Sequence, residues 1–153
     1  EVTPGSENTS GCSSGPCEAV VNDNADPFTL NASGFTWPRL DGYINNVLVP
    51  LRALAATRGR TIYTNLCYVS FTQTAATLHA SNAEEYAEFV EATFLHMNAT
   101  FGFVPDAVEV ILEPDNTGGK WDGTRIGRAI VAAGARLASG GPGAGRQALP
   151  GGA

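Results

Sequence analysis

The chain has 153 residues, of which 43% are apolar and 16% are charged, with 9 Lys and Arg against 15 Asp and Glu. This length and composition predict one domain with a packed core rather than a disordered chain. The net charge of −6 and the lack of a Lys/Arg cluster argue against nucleic acid as a partner, because basic patches bind phosphates. No apolar run reaches the length of a membrane span, and no motif has the spacing of a metal or cofactor site. We therefore expect that the chain neither contacts a membrane nor binds a metal or a cofactor.

Several features favour a secreted protein. Cys12 and Cys17 lie in a Gly/Ser-rich stretch where a disulfide would close a small loop, whereas Cys67 lies in an apolar run typical of a buried thiol. The chain begins with neither Met nor an apolar leader, so we expect it to be processed or cut from a longer protein. Three sequences match the acceptor pattern for N-glycosylation, at Asn8, Asn31 and Asn98.

Both ends of the chain have the composition of unpacked segments. Residues 1–17 include 12 Gly, Ser, Thr, Pro or Asn, and residues 140–153 contain six Gly and two Pro. Such stretches bury little apolar surface and do not continue a helix. We therefore predict a flexible arm over 1–17, a folded domain over 18–139 and a tail over 140–153.

Within the domain, short apolar runs alternate with amphipathic helices. Residues 19–21 predict a short strand, and Asp41 is expected to cap a helix that is kinked at Pro50 and ends at Gly59. Residues 61–69 are rich in β-branched and aromatic residues, which predicts a second strand.

The second half of the domain repeats this alternation. Residues 81–84 have the spacing of a capping box, which predicts a helix behind them. Residues 106–113 are nearly all apolar at their centre, as in a strand covered on both faces, and a helix is expected from residue 122 or 124 to 138. Strands and helices in strict alternation predict an α/β fold with parallel strands and right-handed crossovers.

Glu113 is the candidate catalytic residue. In parallel α/β folds, ligands gather at the carboxyl ends of the strands, and here Glu113 is the one ionisable side chain at the tip of a well-predicted strand. The apolar residues 110–112 precede it, an environment that favours a neutral carboxylic acid able to donate a proton. The alternative is an ordinary solvated acid at a strand end.

The chain resembles the retaining glycoside hydrolases of the clan with a (β/α)8 barrel. Residues 86–91, 105–116 and 121–124 resemble the third helix, the fourth strand and the following loop of that clan, and residues 20–26 and 63–71 resemble its second and third strands. In that clan a Glu-Pro pair ends strand four, and its Glu is the acid/base. The resemblance implies this role for Glu113, which Pro114 follows, and a partial barrel of about half the full size over residues 19–138.

Four further residues are candidates for binding the sugar. Trp121 lies just beyond the Glu113 loop, where an aromatic face would suit the apolar face of a pyranose. Asn116 lies in the Glu113 loop, and the polar side chains of Asp26 and Asn65 could meet hydroxyl groups from neighbouring strand ends. The alternatives are that Trp121 packs a helix and that the polar side chains cap turns.

The expected enzyme is incomplete as a single chain. Leu112 stands where members of the clan commonly have an Asn that hydrogen-bonds the 2-hydroxyl group. The nucleophilic Glu of the clan lies on strand seven, and a full barrel takes about 250 residues. Retaining cleavage needs two carboxyl groups about 5 to 5.5 Å apart. We therefore expect a segment of a secreted glycoside hydrolase acting on a β-linked glycan, with the remainder of the barrel or another copy of the chain as partner.

Two other functions remain open on this evidence. A half-barrel that has lost turnover would bind glycan or serve a structural role, and its uncovered strand edges would make it self-associate. A stable monomer would instead favour a small closed α/β sheet, such as a flavodoxin-like binding domain, although the sequence has no phosphate-binding loop.

Overall fold

The computed structural model describes residues 1–8, 20–71 and 77–139. Short 3-10 turns form at Pro4–Ser6, Ala32–Gly34 and Pro114–Thr117, and a π-helical turn, Ile44–Leu48, joins the first two helices. The described residues form two strands, β1 (Asn65–Cys67) and β2 (Ala107–Glu109), and five α-helices: α1 (Pro38–Tyr43), α2 (Val49–Ala56), α3 (Thr77–Ser81), α4 (Ala83–Phe101) and α5 (Gly123–Ser139).

The two strands pair in parallel, with Asn65 opposite Ala107 and Cys67 opposite Glu109. On the other side of β1, Val2 forms a parallel bridge to Tyr68. The chain between β1 and β2 contains α3 and α4, so these elements make a parallel crossover unit of the kind that the sequence predicts.

The predicted half-barrel is wrong, because the described chain is mostly helical and its two strands form one small sheet. The strands predicted over 61–69 and 106–113 contain only three strand residues each. At their start, the N–H of Asp106 donates to the carbonyl of Thr64 at 2.8 Å, but the N–H of Thr64 donates to the side-chain Oδ2 of Asp106 at 2.9 Å. Val20 and Val21 form no strand, and the N–H of Val21 donates to the carbonyl of Glu7.

The long helices are confirmed. The predicted apolar stripe of α4 is buried, and α5 packs along α4. The cap of α4 differs from the prediction, because Oδ1 of Asn82 accepts the N–H of Glu84 while Ser81 ends α3. At its other end, Gly102 adopts a left-handed conformation with φ 72°, which a side chain would disfavour. The buried residues of the stripe are Tyr86, Phe89, Val90, Phe94 and Met97.

The helix expected from Asp41 is confirmed in part. It begins earlier, at Pro38, and is interrupted by the π-helical turn before α2 continues to Ala56. Residues 38–56 are helical without a break, and Pro50, which has no N–H to donate to the preceding turn, lies just after the π-helical distortion.

Aromatic side chains form the centre of the core between the sheet and α4. The ring of Tyr68 contacts those of Tyr86, Phe89 and Trp121 edge-on, with centroids 5.3, 5.6 and 5.9 Å apart. Such edge-to-face contacts add to the stabilisation from apolar burial. The carboxyl end of β1 thus packs, through Tyr68, against a cluster of aromatic rings.

Candidate functional site

Glu113 lies just beyond the carboxyl end of β2. The N–H of Leu112 donates to the carbonyl of Tyr68 at 2.9 Å, so the chain stays beside β1 up to the residue before Glu113. Glu113 itself has φ 47° and ψ 66°, and it is the only non-glycine residue with positive φ in the described part of the chain. A left-handed backbone costs a residue with a Cβ about 1 to 2 kcal/mol. Strain of this kind concentrates at functional sites.

The carboxyl group of Glu113 is exposed and held by its own loop. Nδ2 of Asn116 donates to Oε2 of Glu113 at 2.7 Å, and the backbone N–H of Asn116 donates to the Glu113 carbonyl at 2.9 Å. The apolar surroundings predicted for this carboxyl are therefore absent. The reason is that the ladder ends at Glu109 and the chain turns at Glu113 into the Pro114–Thr117 turn.

Asn65 does not share this edge of the sheet. It is the first residue of β1, so it lies at the amino end of a parallel pair, opposite the end that carries Glu113. Its Nδ2 donates to Oε2 of Glu109 at 3.3 Å. Asn65 also lines a largely apolar groove of about 350 Å³ together with Leu40, Ile44 and Met97. Its predicted role in binding a sugar stays a prediction.

Asp26 and Trp121 have the structural roles that were the alternatives to sugar binding. The exposed carboxylate of Asp26 accepts the backbone N–H of Phe28 and the hydroxyl of Thr29, so it caps its own turn. The side chain of Trp121 is only 3% exposed and packs against Tyr68 and Tyr86. Its ring faces are therefore closed to a sugar.

The predicted modification sites differ in accessibility. Asn98 is exposed near the end of α4, and Asn31 is exposed but its Nδ2, the atom that would carry a glycan, donates to the carbonyl of Asp23 at 3.2 Å. Asn8 is buried, which is unfavourable for glycosylation. The disulfide predicted between Cys12 and Cys17 lies outside the described residues.

A buried polar cluster, which the sequence did not predict, lies beneath the carboxyl edge. Nε2 of His79 lies 2.6 Å from Oε2 of Glu7, and Nδ1 of His79 lies 2.8 Å from the hydroxyl of Tyr68. These distances fit an imidazole that donates from Nε2 and accepts at Nδ1. Burial, with added effects from Tyr86 and Glu7, raises the pKa of Tyr68 well above its ordinary value.

Two glutamates of α4 extend this cluster. Glu85 and Glu88 are 4% and 1% exposed, and each has one carboxyl oxygen without a hydrogen-bond partner. Burial raises the pKa of Glu88 to about 8, helped by the negative charges of Asp23, Glu85 and Glu7 and opposed by Arg136. Burial also raises the pKa of Glu85, against a hydrogen bond from Asn22 that lowers it. Glu88 is thus mostly protonated at neutral pH.

The spacing of Glu85 and Glu88 beside an apolar stripe is the one sequence signal for this cluster, and it is weak. The groups that face them come from distant parts of the chain, since Glu7 lies in the N-terminal segment and His79 on α3. Within the described ranges, no three His, Cys, Asp or Glu side chains are arranged to hold a metal ion.

Comparisons with protein-family models, with curated proteins and with solved structures gave no match to this chain. None of the described helices is both long enough and apolar enough to cross a membrane.

Proposed function

We propose that this chain supplies the proton-donating carboxyl group of an enzyme that cleaves a β-linked glycan, with Glu113 as the general acid/base. The observation that supports it most is the position of Glu113. This exposed acid lies at the carboxyl edge of a parallel strand pair and is presented by a strained backbone.

The carboxyl group of Glu113 is accessible for a proton transfer to a leaving oxygen. Its carboxyl is open to an approaching substrate, and the amide of Asn116 holds one of its two oxygens. The other oxygen is available to protonate the glycosidic oxygen as the bond to the anomeric carbon breaks. The resulting carboxylate would then accept a proton from the attacking water.

The proposal takes the nucleophile from outside the described residues. Retaining cleavage requires a second carboxyl group about 5 to 5.5 Å from the acid. Glu7 is in the N-terminal segment beside β1, but it is buried against His79 and cannot reach a substrate. The proposal therefore places the acid on this chain and the nucleophile on a further segment or a partner. A secreted location likewise remains a prediction.

An added nucleophile allows this chain to be tested by itself. Formate can attack the anomeric carbon of an aryl β-glycoside in place of the missing carboxylate, while Glu113 protonates the leaving phenol oxygen. We expect formate-dependent release of phenol from phenyl β-glycosides, and we expect Glu113→Gln to abolish it. With a dinitrophenyl leaving group, which needs no protonation, Glu113→Gln should change the rate little.

Asp115→Asn is the matched control, since Asp115 is an exposed acid in the same turn. This variant should retain the formate-dependent rate. The proposed function is wrong if no formate-dependent release is observed with either leaving group, or if Glu113→Gln and Asp115→Asn behave alike on the phenyl substrates. The half-barrel is not the observed fold, but a non-catalytic role in glycan binding or self-association stays the alternative prediction.

A further inference from the structure

A histidine on α4 contacts a polar side chain at each of its two ring nitrogens. Nε2 of His96 lies 2.6 Å from Oδ1 of Asp41, which belongs to α1. Nδ1 of His96 lies 3.4 Å from Oγ1 of Thr100, one turn further along α4. An imidazole that donates from Nε2 to the carboxylate accepts at Nδ1, so the hydroxyl of Thr100 is the donor there. The three side chains thus connect a hydroxyl, an imidazole and a carboxylate in that order.

This order of groups is the one that activates a hydroxyl as a nucleophile. The carboxylate fixes the tautomer and the orientation of the imidazole, and the imidazole takes the proton of the hydroxyl as its oxygen attacks. The contact between Thr100 and His96 is longer than an ideal hydrogen bond. Contacts of this kind are often long in free enzymes and shorten when a substrate binds.

Aromatic rings hold the imidazole of His96 in place. The ring of Trp37 stacks on it, with centroids 5.1 Å apart and an angle of 20° between the planes. The ring of Phe101 contacts it edge-on at 6.1 Å. These contacts restrict the rotation of the imidazole and keep Nδ1 directed towards Thr100, and fixed orientation of this kind lowers the entropic cost of reaction. Thr100 itself is exposed, so a substrate can reach its hydroxyl.

A cavity of about 400 Å³ adjoins the imidazole. This volume is within the range of small-molecule sites in proteins. Apart from His96, the wall of the cavity is apolar and aromatic, and it includes Leu30, Phe35, Trp37 and Leu95. Such a wall suits the acyl chain or the aromatic ring of an uncharged ester.

We propose that Thr100, His96 and Asp41 form a nucleophilic site that cleaves small, uncharged aryl esters. Thr100 is the nucleophile, His96 is the general base, and Asp41 is a positioning residue that acts through His96.

This site is independent of the function proposed for Glu113. Tyr86, in the first turn of α4, donates to the carbonyl of Val110 just beyond β2, at the end of the sheet that carries Glu113. Thr100 is about 21 Å further along the same helix. Either site can therefore fail its test without affecting the other.

The reaction has two steps. Oγ1 of Thr100 attacks the carbonyl carbon of the ester while its proton passes to Nδ1 of His96, and the bond from this carbon to the phenol oxygen then breaks as that oxygen takes the proton. The acyl group is now bound to Thr100. In the second step, water attacks the acyl carbon and gives a proton to Nδ1. This proton passes to Oγ1 as the carboxylic acid leaves, which restores the hydroxyl.

Hydrolysis of p-nitrophenyl butyrate tests the proposal, because its acyl chain is apolar and its phenol leaves readily. We expect a release of p-nitrophenol above the uncatalysed rate that Thr100→Ala and His96→Gln each lower by at least about tenfold. Thr100→Ser, which keeps a hydroxyl, should retain the activity. Asp41→Asn should lower kcat and change KM little, because it orients the imidazole without touching the ester.

Two variants serve as matched controls. Thr124→Ala removes another exposed threonine hydroxyl, on α5, and should keep the full rate. Thr100→Ala also removes the glycosylation pattern at Asn98, so Asn98→Gln removes the same pattern while leaving the hydroxyl. This variant should keep the full rate as well.

Mass spectrometry of the unchanged chain gives a second measurement that needs no variant. When the reaction is stopped with acid during turnover, the peptide that contains Thr100 should carry one butyryl group on this residue, since a nitrophenyl ester acylates faster than the acyl group is hydrolysed. The proposal is wrong if Thr100→Ala releases p-nitrophenol as fast as the unchanged chain. It is also wrong if no release above the uncatalysed rate is observed, or if the butyryl group is found only on other residues.

Discussion

Nε2 of His79 lies 2.6 Å from Oε2 of Glu7, and neither side chain reaches solvent. Replacing His79 with Leu removes the donor to Glu7 and leaves its carboxyl buried without a partner. Breaking a buried pair in this way costs about 3 to 5 kcal/mol of unfolding free energy. Urea denaturation at pH 7 would measure the loss.

His96→Gln is the matched control, because His96 pairs with Asp41 at the same distance of 2.6 Å but is partly exposed. Its cost should stay within about 1 kcal/mol. Replacing both Glu7 and His79 with Leu should recover much of the loss from His79→Leu, since no buried charge is then left alone. If His79→Leu and His96→Gln lost the same unfolding free energy, the buried pair of His79 and Glu7 would contribute no more than the partly exposed pair of His96 and Asp41.

Glu88 should make the whole protein less stable as the pH rises. Because the folded state holds the proton up to a pKa of about 8 and the unfolded state releases it near 4.5, the folded state binds more protons between these values. The unfolding free energy should therefore fall across this window by up to about 1.4 kcal/mol per pH unit and then level off. Chemical denaturation at pH 5, 6, 7 and 8 would follow it.

In Glu88→Gln the unfolding free energy should depend less on pH. Its unfolding free energy relative to the unchanged chain should therefore increase from pH 5 to pH 8. Glu109→Gln removes a half-exposed acid that is not part of the buried polar cluster around Glu88. This variant should leave the dependence of the unfolding free energy on pH nearly unchanged. A slope that survives in Glu88→Gln would assign the pH dependence to other groups.

The thiol of Cys67 should react slowly. Burial, together with a hydrogen bond to Glu109 and the charge of Glu109, raises its pKa from 9.0 to about 12. At pH 8 the reactive thiolate is then roughly a thousandfold scarcer than for an ordinary thiol. Alkylation by iodoacetamide, followed by peptide mass spectrometry, would separate Cys67 from the other two cysteines. Glu109→Gln should speed the reaction, whereas an equal rate in both chains would exclude the role given to Glu109.

Glu113→Gly should stabilise the fold while removing the candidate acid. Glycine adopts φ 47° without the steric cost that a Cβ brings. We expect a gain of about 1 kcal/mol in unfolding free energy, measured by thermal and urea denaturation. Asp115→Gly, at the neighbouring position in the turn, should instead lose stability. Glu113→Ala, which also loses the hydrogen bond from Asn116 but keeps a Cβ, is the reference, and a Glu113→Gly chain that is less stable than Glu113→Ala would mean that the backbone there is not strained.

Local pattern was enough to predict the long helices of this fold. The period of Tyr86, Phe89 and Val90 identifies α4, because a helix of 19 residues buries one continuous stripe. Strand length could not be predicted in the same way. An apolar run shows that residues are buried, but whether their N–H groups join a ladder depends on distant groups, such as the Asp106 carboxylate that takes the N–H of Thr64.

The candidate site was likewise predictable only in part, because some of its features depend on contacts between distant residues. The position of Glu113 beyond a parallel strand follows from the order of elements, whereas its exposed carboxyl does not follow from the apolar residues before it. Asn65 was expected near a ligand and lies at the far end of its strand. The buried pair of Glu7 and His79 could not be predicted from a sequence pattern, because the two residues lie 72 positions apart.

The π-helical turn at Ile44–Leu48 has a consequence for the helix that follows it. Such a turn holds one residue more than an α-helical turn, and each residue of an α-helix advances by about 100° around the axis. The extra residue therefore sets the rotational phase of α2, whose side chains at Leu51 and Leu54 face solvent while Ala55 faces inward. Deleting one residue between positions 44 and 48 would rotate α2 about its axis. Side chains of α2 that are now exposed would then face the protein, and the buried ones would become exposed.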